Sequence, residues 1–404
     1  MSHYVFPRIP LELVTEVVAS VEDTQTLLQI GFVSRSFRDI VLPFIYHALI
    51  INKGTSAVKS LSLQNLSTND NIRNCVKEIE YDSSLVDIAA TREEELQNLL
   101  QDLLYLPNFP RIGTLRVYFP FLPDGEEIIG LSDPDQPFIN HSRHFQRLLF
   151  QLCGRLHAGN NFHVKFFEIH NVIPCPNEGL NDPNFRQFLR PLKGMGISII
   201  RADPDPDETQ EAWHAFQAFT TQMVQVLQAP MELEYLSYGG DTIVCGAQER
   251  WEQWNALFFP RLRHLHLKGL LLDDVSPGKR VLSSKAIQFL LRHCDTLEDL
   301  TFESCSIAID DSFTWSEILP VLEERMQKLV SFTFVPLPGR NYGGGNVLGG
   351  YSLLNPDTGV IPVTTYASSP TGVSDEDDGE EDKLALRRFL AHLRERRNES
   401  GETG

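Results

Sequence analysis

The chain has 404 residues, 42% hydrophobic and 22% charged, a globular balance that lets most of it bury a core. Its 54 acidic and 35 basic residues give a formal charge of −19, which repels nucleic-acid phosphate and anionic lipid, so neither is an expected partner. Six cysteines stand far apart with no Cys-x-x-Cys pair, unlike a secreted disulfide framework, and no apolar run approaches a membrane span; a cytoplasmic and/or nuclear setting is expected.

The first fifty residues form a dense apolar block, expected to be a separate three-helix module (1–50). Leu11, Leu13, Val14, Val17, Val18 and Val21 fall mostly on one helical stripe, with Pro10 at the start and Glu12 at the positive end of the helix dipole. Asp23 or Thr24 can cap a second helix through Leu27, Leu28 and Ile30, stopped at Gly31. Ser34 can cap a third, with Phe37, Ile40, Val41, Phe44 and Ile45 at helical spacing. Pro43 removes a backbone donor there and predicts a break or kink.

From 51 to 335 short strand phrases alternate with helical ones. Val76-x-x-Ile79-x-Tyr81, Ile112-x-x-Leu115-x-Val117 and Val164-x-x-Phe167-x-Ile169 come first, then a weaker strand near Ile197–Ile200. Leu233-x-x-Leu236-x-Tyr238, Leu262-x-x-Leu265-x-Leu267, Leu297-x-x-Leu300-x-Phe302 and Leu329-x-x-Phe332-x-Phe334 complete the series. The starts of those last four lie 29, 35 and 32 residues apart, a period that predicts a strand-plus-helix solenoid. Alternation buries the phrase residues and turns His264, His266, Glu298 and Thr301 to an open face, the candidate face for a protein substrate.

Beyond Val335 a glycine-rich stretch and an acidic run, with seven acids among the eight residues from Asp375, predict a low-order tail (336–404). Within it, 383–397 regains helical period through Leu384, Leu386, Phe389, Leu390 and Leu393. From Asp375 onward ten acids and six bases net −4, so −15 of the −19 belongs to residues 1–374 and the body itself is acidic.

Ile9-Pro10-Leu11-Glu12-Leu13, Val17, Leu27-Leu28 and Phe32-Val33-Ser34-Arg35-Ser36-Phe37 together resemble the F-box, with Ile9 and Ser34 where the family has leucine and cysteine. Leu42-Pro43-Phe44-Ile45-Tyr46 is similar to the phrase that often follows it in fungal members. The later phrases resemble degenerate leucine-rich repeats, L-x-x-L-x-L-x-x-N/C-x-L: residues 297–307 match fully with Cys305 at the Asn/Cys position, 233–243 place Asp241 there and 262–272 place Leu270 there. The expected fold is therefore α/β, an F-box-like module followed by an irregular leucine-rich-repeat-like solenoid and a disordered acidic tail. The resemblance implies a non-catalytic substrate receptor. A Skp-type adaptor, and through it a cullin–RING ubiquitin ligase, would bind at Ile9, Pro10, Leu11, Leu13, Val17, Leu28, Val33 and Phe37, and the repeats would hold the target protein. The alternatives are a repeat scaffold unrelated to ubiquitination, in which the first block only caps the array, and an enzyme with an unrecognised site.

Other features point to bland roles. Cys153-x-x-x-His157 shares a helix face but lacks a second close pair for a metal. Gly343-Gly344-Gly345 lacks the Lys-Ser/Thr of a phosphate loop. The chain shows no H-E-x-x-H or G-x-S-x-G pattern, and no cofactor is expected. Trp213, Trp251, Trp254 and Trp315 fall in helical stretches, where core packing is the expectation.

Overall fold

The structure is a computed structural model that describes residues 10–53, 63–121, 137–159, 162, 164–200, 210–240, 251–270, 272, 281–303, 305–308, 314–335, 351–355, 359–363 and 378–399. The predicted helices at the start are α1 (Leu11–Ala19), α2 (Thr24–Val33) and α3 (Arg35–Ile45). Asp23 caps α2, accepting from the N–H groups of Gln25 and Thr26, and Ser34 caps α3 by accepting from Phe37 N–H at 3.2 Å. Two expectations are corrected here. Gly31 does not stop α2, which runs on to Val33; a Cβ at Gly31 would stand 3.1 Å from the Val41 side chain, so the glycine lets α3 approach. Pro43 does not break α3, which continues to Ile45 and closes with Tyr46 N–H on Leu42 O at 3.0 Å.

The body is mixed α/β. In chain order it runs β1 (Ala48–Asn52), α4 (Leu63–Ser67), α5 (Asp70–Arg73), β2 (Glu78–Asp82), α6 (Glu93–Leu99), β3 (Thr114–Tyr118), α7 (Pro137–Ala158) and β4 (Phe166–Val172). It continues α8 (Pro183–Leu189), β5 (Gly194–Ile199), α9 (Gln210–Leu227), β6 (Tyr235–Gly240), α10 (Trp251–Trp254), β7 (His264–Lys268), α11 (Lys285–Leu291) and β8 (Asp299–Glu303). Then come β9 (Ser306–Ala308), α12 (Trp315–Arg325), β10 (Ser331–Val335), β11 (Tyr351–Asn355), β12 (Gly359–Val363) and α13 (Asp378–Glu399). Nine strands, β1 to β8 and then β10, form one parallel sheet in chain order; β12, β11 and β9 make a small antiparallel one.

The sheet follows from the apolar phrases. Ile51, Tyr81, Val117, Ile169, Ile197, Tyr238, Leu267, Phe302 and Phe334 stand in register from strand to strand and all lie on the buried side. A second ladder of Leu49, Ile79, Leu115, Phe167, Met195, Leu236, Leu265, Leu300 and Phe332 runs beside it. Each such side chain contributes roughly 1.5–3 kcal/mol when fully buried. The first apolar residue of each phrase, from Val76 to Leu329, is buried as well. At the start of each main-sheet strand after β1, two successive N–H groups converge on one carbonyl of the preceding unit. Lys77 and Glu78 share His47 O, Lys193 and Gly194 share Lys165 O, and Val330 and Ser331 share Glu298 O.

The solenoid expectation is corrected by this sheet. It is one open, continuous nine-stranded sheet rather than a stack of equal turns, since strand starts are spaced from 28 residues (Phe166 to Gly194) to 52 (Thr114 to Phe166). The weak strand is also re-registered: β5 begins at Gly194, and its phrase is Leu192-x-x-Met195-x-Ile197. Gly194 and Gly196 hid it from the pattern. They are glycines because the Phe166 ring and the Glu168 side chain lie where their Cβ atoms would be, at 2.1 and 2.9 Å.

The helix expected over 383–397 is present within the longer α13, but it is ordered into the body, against the expectation of a low-order tail. Leu386, Phe389 and Leu393 of α13 are buried in the main core, with Phe389 edge-on to Phe332. Asp382, from the acidic run, is buried and accepts from Ser316 N–H. The remaining acidic and glycine-rich stretches lie outside the described residues.

The module has its own small core of Val18, Leu27 and Val41, with Val14, Val21, Ile30, Ile40 and Ile45 packed around it. Ile45 belongs to that cluster, whereas Tyr46 packs against the main core.

Candidate docking surface and open sheet face

The module's sequence stripe divides in two. Val14 and Val18 turn inward to α3, and Leu11, Leu13 and Val17 turn outward. On α2 Leu27 is buried, while Leu28, Phe32 and Val33 are exposed. Phe32 is 79% exposed, Val33 71% and Val17 65%, values that leave these side chains almost without intramolecular packing. Of the residues expected to bind an adaptor, Pro10, Leu11, Leu13, Val17, Leu28 and Val33 are at the surface, Phe37 is half-buried, and Ile9 lies outside the described residues. Phe32 is the addition: it stood inside the quoted phrase but was not singled out. Phe44 is also partly exposed. Isolated apolar side chains are common on protein surfaces, but several large ones on two successive helices are the composition of an interface core.

The open side of the sheet is polar and internally paired. Arg116 on β3 donates to Glu78 on β2 at 2.8 Å and to Glu168 on β4 at 3.0 Å. Partial burial works against its charge, but the two carboxylates outweigh this and raise the guanidinium pKa further. Glu168 is held below the ordinary carboxylate range, first by His170 and, against its burial, also by Arg116. His170 stacks on Tyr118 with centroids 4.3 Å apart. Burial is the main cause that raises the Tyr118 phenol, with Glu80 and Glu168 adding to it.

The candidate substrate-face residues are placed as follows. His264 Nδ1 stands 2.6 Å from Asp299 Oδ2. His266 Nε2 stands 3.0 Å from Glu303 Oε2, and its Nδ1 lies 3.3 Å from Ser237 Oγ. Lys268 Nζ meets the same Glu303 at 3.0 Å. Thr301 is in register with His266 and shares this face. Glu298 is corrected: it precedes β8, pairs with Arg263 at 3.8 Å, and offers its carbonyl to Val330 and Ser331, so it sits at the strand entrance. Asp299 holds the open-face position. The pattern Leu297-x-x-Leu300-x-Phe302 could have shown this, because Asp299, Thr301 and Glu303 alternate with the two buried strand residues.

Residues read as bland are also placed. Cys153 is buried and its thiol is pushed up to about 12 by desolvation. No group of three or more His, Cys, Asp or Glu among the described residues could hold a metal. Trp254 and Trp315 are core side chains; the Trp213 and Trp251 side chains lie outside the description. Cys305 is buried and donates to Leu267 O at 3.2 Å, one strand back. Asp241 lies outside the described residues. No helix among the described residues is long and apolar enough to cross a membrane. Compared with known proteins, the chain matches no family model and no curated sequence.

Proposed function

We propose that this protein is a non-catalytic adaptor. Its first three helices dock a Skp-type adaptor and thereby a cullin–RING ubiquitin ligase, and its open sheet face receives the protein to be ubiquitinated. One observation carries the reading: Leu11, Leu13, Val17, Leu28, Phe32 and Val33 are exposed on a module that already has a core of its own. Their positions coincide with the F-box-like phrases of the sequence. Covering each would contribute roughly 1.5–3 kcal/mol, so a few of them suffice to anchor a partner. The leucine-rich-repeat resemblance is supported at 297–307, where Cys305 makes the kind of hydrogen bond to a neighbouring unit that the motif's polar position serves. In this reading residues 1–50 are the docking module, 51–335 the substrate-binding body, and the chemistry belongs to other subunits.

Size-exclusion chromatography of the purified chain with a recombinant Skp-type adaptor tests this. A stable complex is expected with the wild type, and a loss of at least tenfold in affinity with Leu13→Asp/Phe32→Asp. Both changes lie on the surface, so circular dichroism should match the wild type. A wild type that forms no complex removes the ligase reading; equal binding by a folded variant removes the surface.

A further inference from the structure

Internal pairing leaves the open side of the sheet with a surplus of negative charge. From β2 to β8 its alternate positions hold six carboxylates, Glu78, Glu80, Asp82, Glu168, Asp299 and Glu303, against the two fixed cations Arg116 and Lys268. Both cations are committed within the face, Arg116 to Glu78 and Glu168 at 2.8 and 3.0 Å, and Lys268 to Glu303 at 3.0 Å. Among the described residues no Lys or Arg pairs with Glu80, Asp82 or Asp299. Asp82 accepts from Ser84 N–H, and Asp299 meets the His264 ring with 38% of its own side chain exposed.

The carboxylates left without a fixed cation stand at the two ends of this row. At one end Glu80 is in register with Ile50 of β1, which is 52% exposed, and Asp82 follows on the same strand. At the other end is Asp299. Between them the open positions of β5 and β6 are Gly194, Gly196, Ser198, Tyr235, Ser237 and Gly239, none of them charged. The face is thus a neutral, small-residue stretch between two acidic ends. β8 is six strand spacings from β2, about 29 Å along the sheet at about 4.8 Å each. This pattern selects both the charge and the length of whatever lies on it.

We infer that the open face takes a segment of the target protein that is basic at both ends and lies across the strands, one Lys or Arg cluster on Glu80 and Asp82 and a second on Asp299. At the β2 end the alkyl stem of such a side chain covers Ile50 while its charged head reaches the two carboxylates. Uncharged residues of the segment cross the β5 and β6 stretch. An acidic segment would be repelled at both ends. The inference names the class of target for the proposed function and rests on the reading of this face as the one that receives it. No adaptor enters the test below, so its failure leaves docking by α1–α3 to its own experiment.

The test is fluorescence anisotropy of a labelled peptide on the full-length chain. The peptide carries two Arg-Lys pairs joined by a Gly-Ser spacer of about ten residues, long enough when extended to span the row. It should bind about tenfold or more tightly than a peptide of the same composition with the pairs adjacent, because only the spaced pairs engage both ends at once. Glu80→Gln/Asp299→Asn, which removes charge with little change of shape, should weaken binding about tenfold or more, and Glu80→Lys/Asp299→Lys should abolish it. Glu232→Gln/Glu324→Gln removes the same charge from exposed sites off the face and should leave binding unchanged. Circular dichroism checks that each variant is folded, and the neutral pair serves alone if the reversed pair is not. The inference is overturned by no saturable binding, by a folded Glu80→Gln/Asp299→Asn chain that binds like the wild type, or by an equal loss in the off-face variant. It is also overturned if the adjacent-pair peptide binds as tightly, or if spermine displaces the spaced peptide at equal concentration, since either result would assign the binding to diffuse attraction of cations.

Discussion

In α1–α3 only Val18, Leu27 and Val41 form the fully buried apolar core, while Leu11, Leu13, Val17, Leu28, Phe32 and Val33 face outward. In the sheet body every strand of the main sheet turns apolar residues into one shared core, with Trp254, Trp315, Tyr81 and Tyr238 sealed inside it. Both regions have ample apolar residues, so composition does not separate them. The difference is in closure: the body's helices cover its sheet, whereas the module's helices cover only one another's inner sides. Large apolar groups left outside become useful only when something else covers them.

Three stability measurements can break this contrast, and a fourth sharpens it. Trp254→Ala empties a site bounded by Tyr238 and Phe289, both edge-on to the indole. It should cost about 3–5 kcal/mol in denaturant unfolding; a loss below about 1 kcal/mol would mean that the body is far looser than described. Next is acid sensitivity through His293. Its Nε2 accepts from Phe259 N–H at 3.1 Å and its Nδ1 donates to Phe289 O at 2.9 Å, so the neutral ring is fully used. Desolvation is the main cause that lowers its pKa from 6.5 to about 4. The unfolded chain therefore takes up a proton that the folded one refuses, and stability falls as pH drops from about 6.5 towards 4, by at most about 3 kcal/mol. His293→Gln should flatten that limb; an unchanged slope would place the acid sensitivity elsewhere.

Smaller still is Val41→Ala, at roughly 1–2 kcal/mol. It should speed amide exchange across α1–α3 while leaving the body's unfolding midpoint in place. A matching drop in the body would show that the two cores unfold as one. Least of all is Leu13→Asp/Phe32→Asp, expected within about 0.5 kcal/mol of the wild type because these side chains pack against little. A loss above about 2 kcal/mol would mean that they already have partners within the chain.

Much of this contrast was legible in the sequence. The Leu-x-x-Leu-x-Leu phrases marked the strands because burial on one side of a sheet demands period two. β5 was read weakly and out of register because its open-face positions are Gly194 and Gly196, chosen for what β4 lays over them. The amphipathic period of α13 was visible, but not its acidic first turn, since Asp382 is retained by a hydrogen bond to a residue 66 positions away. On α1 one stripe held both inward and outward residues. Helical periodicity does not divide them, because the division is set by where α3 lies. Gly31 misled because it serves the close approach of Val41 and not a helix stop, and Pro43 because it withholds only one backbone donor, two residues before α3 ends.

Ile45 and Tyr46 are consecutive, yet one belongs to the small core and the other to the large one. His47, next in line, already offers its carbonyl to Lys77 and Glu78 at the start of β2. Only Tyr46 and His47 stand between α3 and β1, and both are engaged with the body, so no run of free residues is left from which a flexible tether could be made. A partner seated on the helices would then have a fixed bearing on anything held across the strands, and the distance between two bound proteins would be written into the fold instead of being sampled by a loose arm.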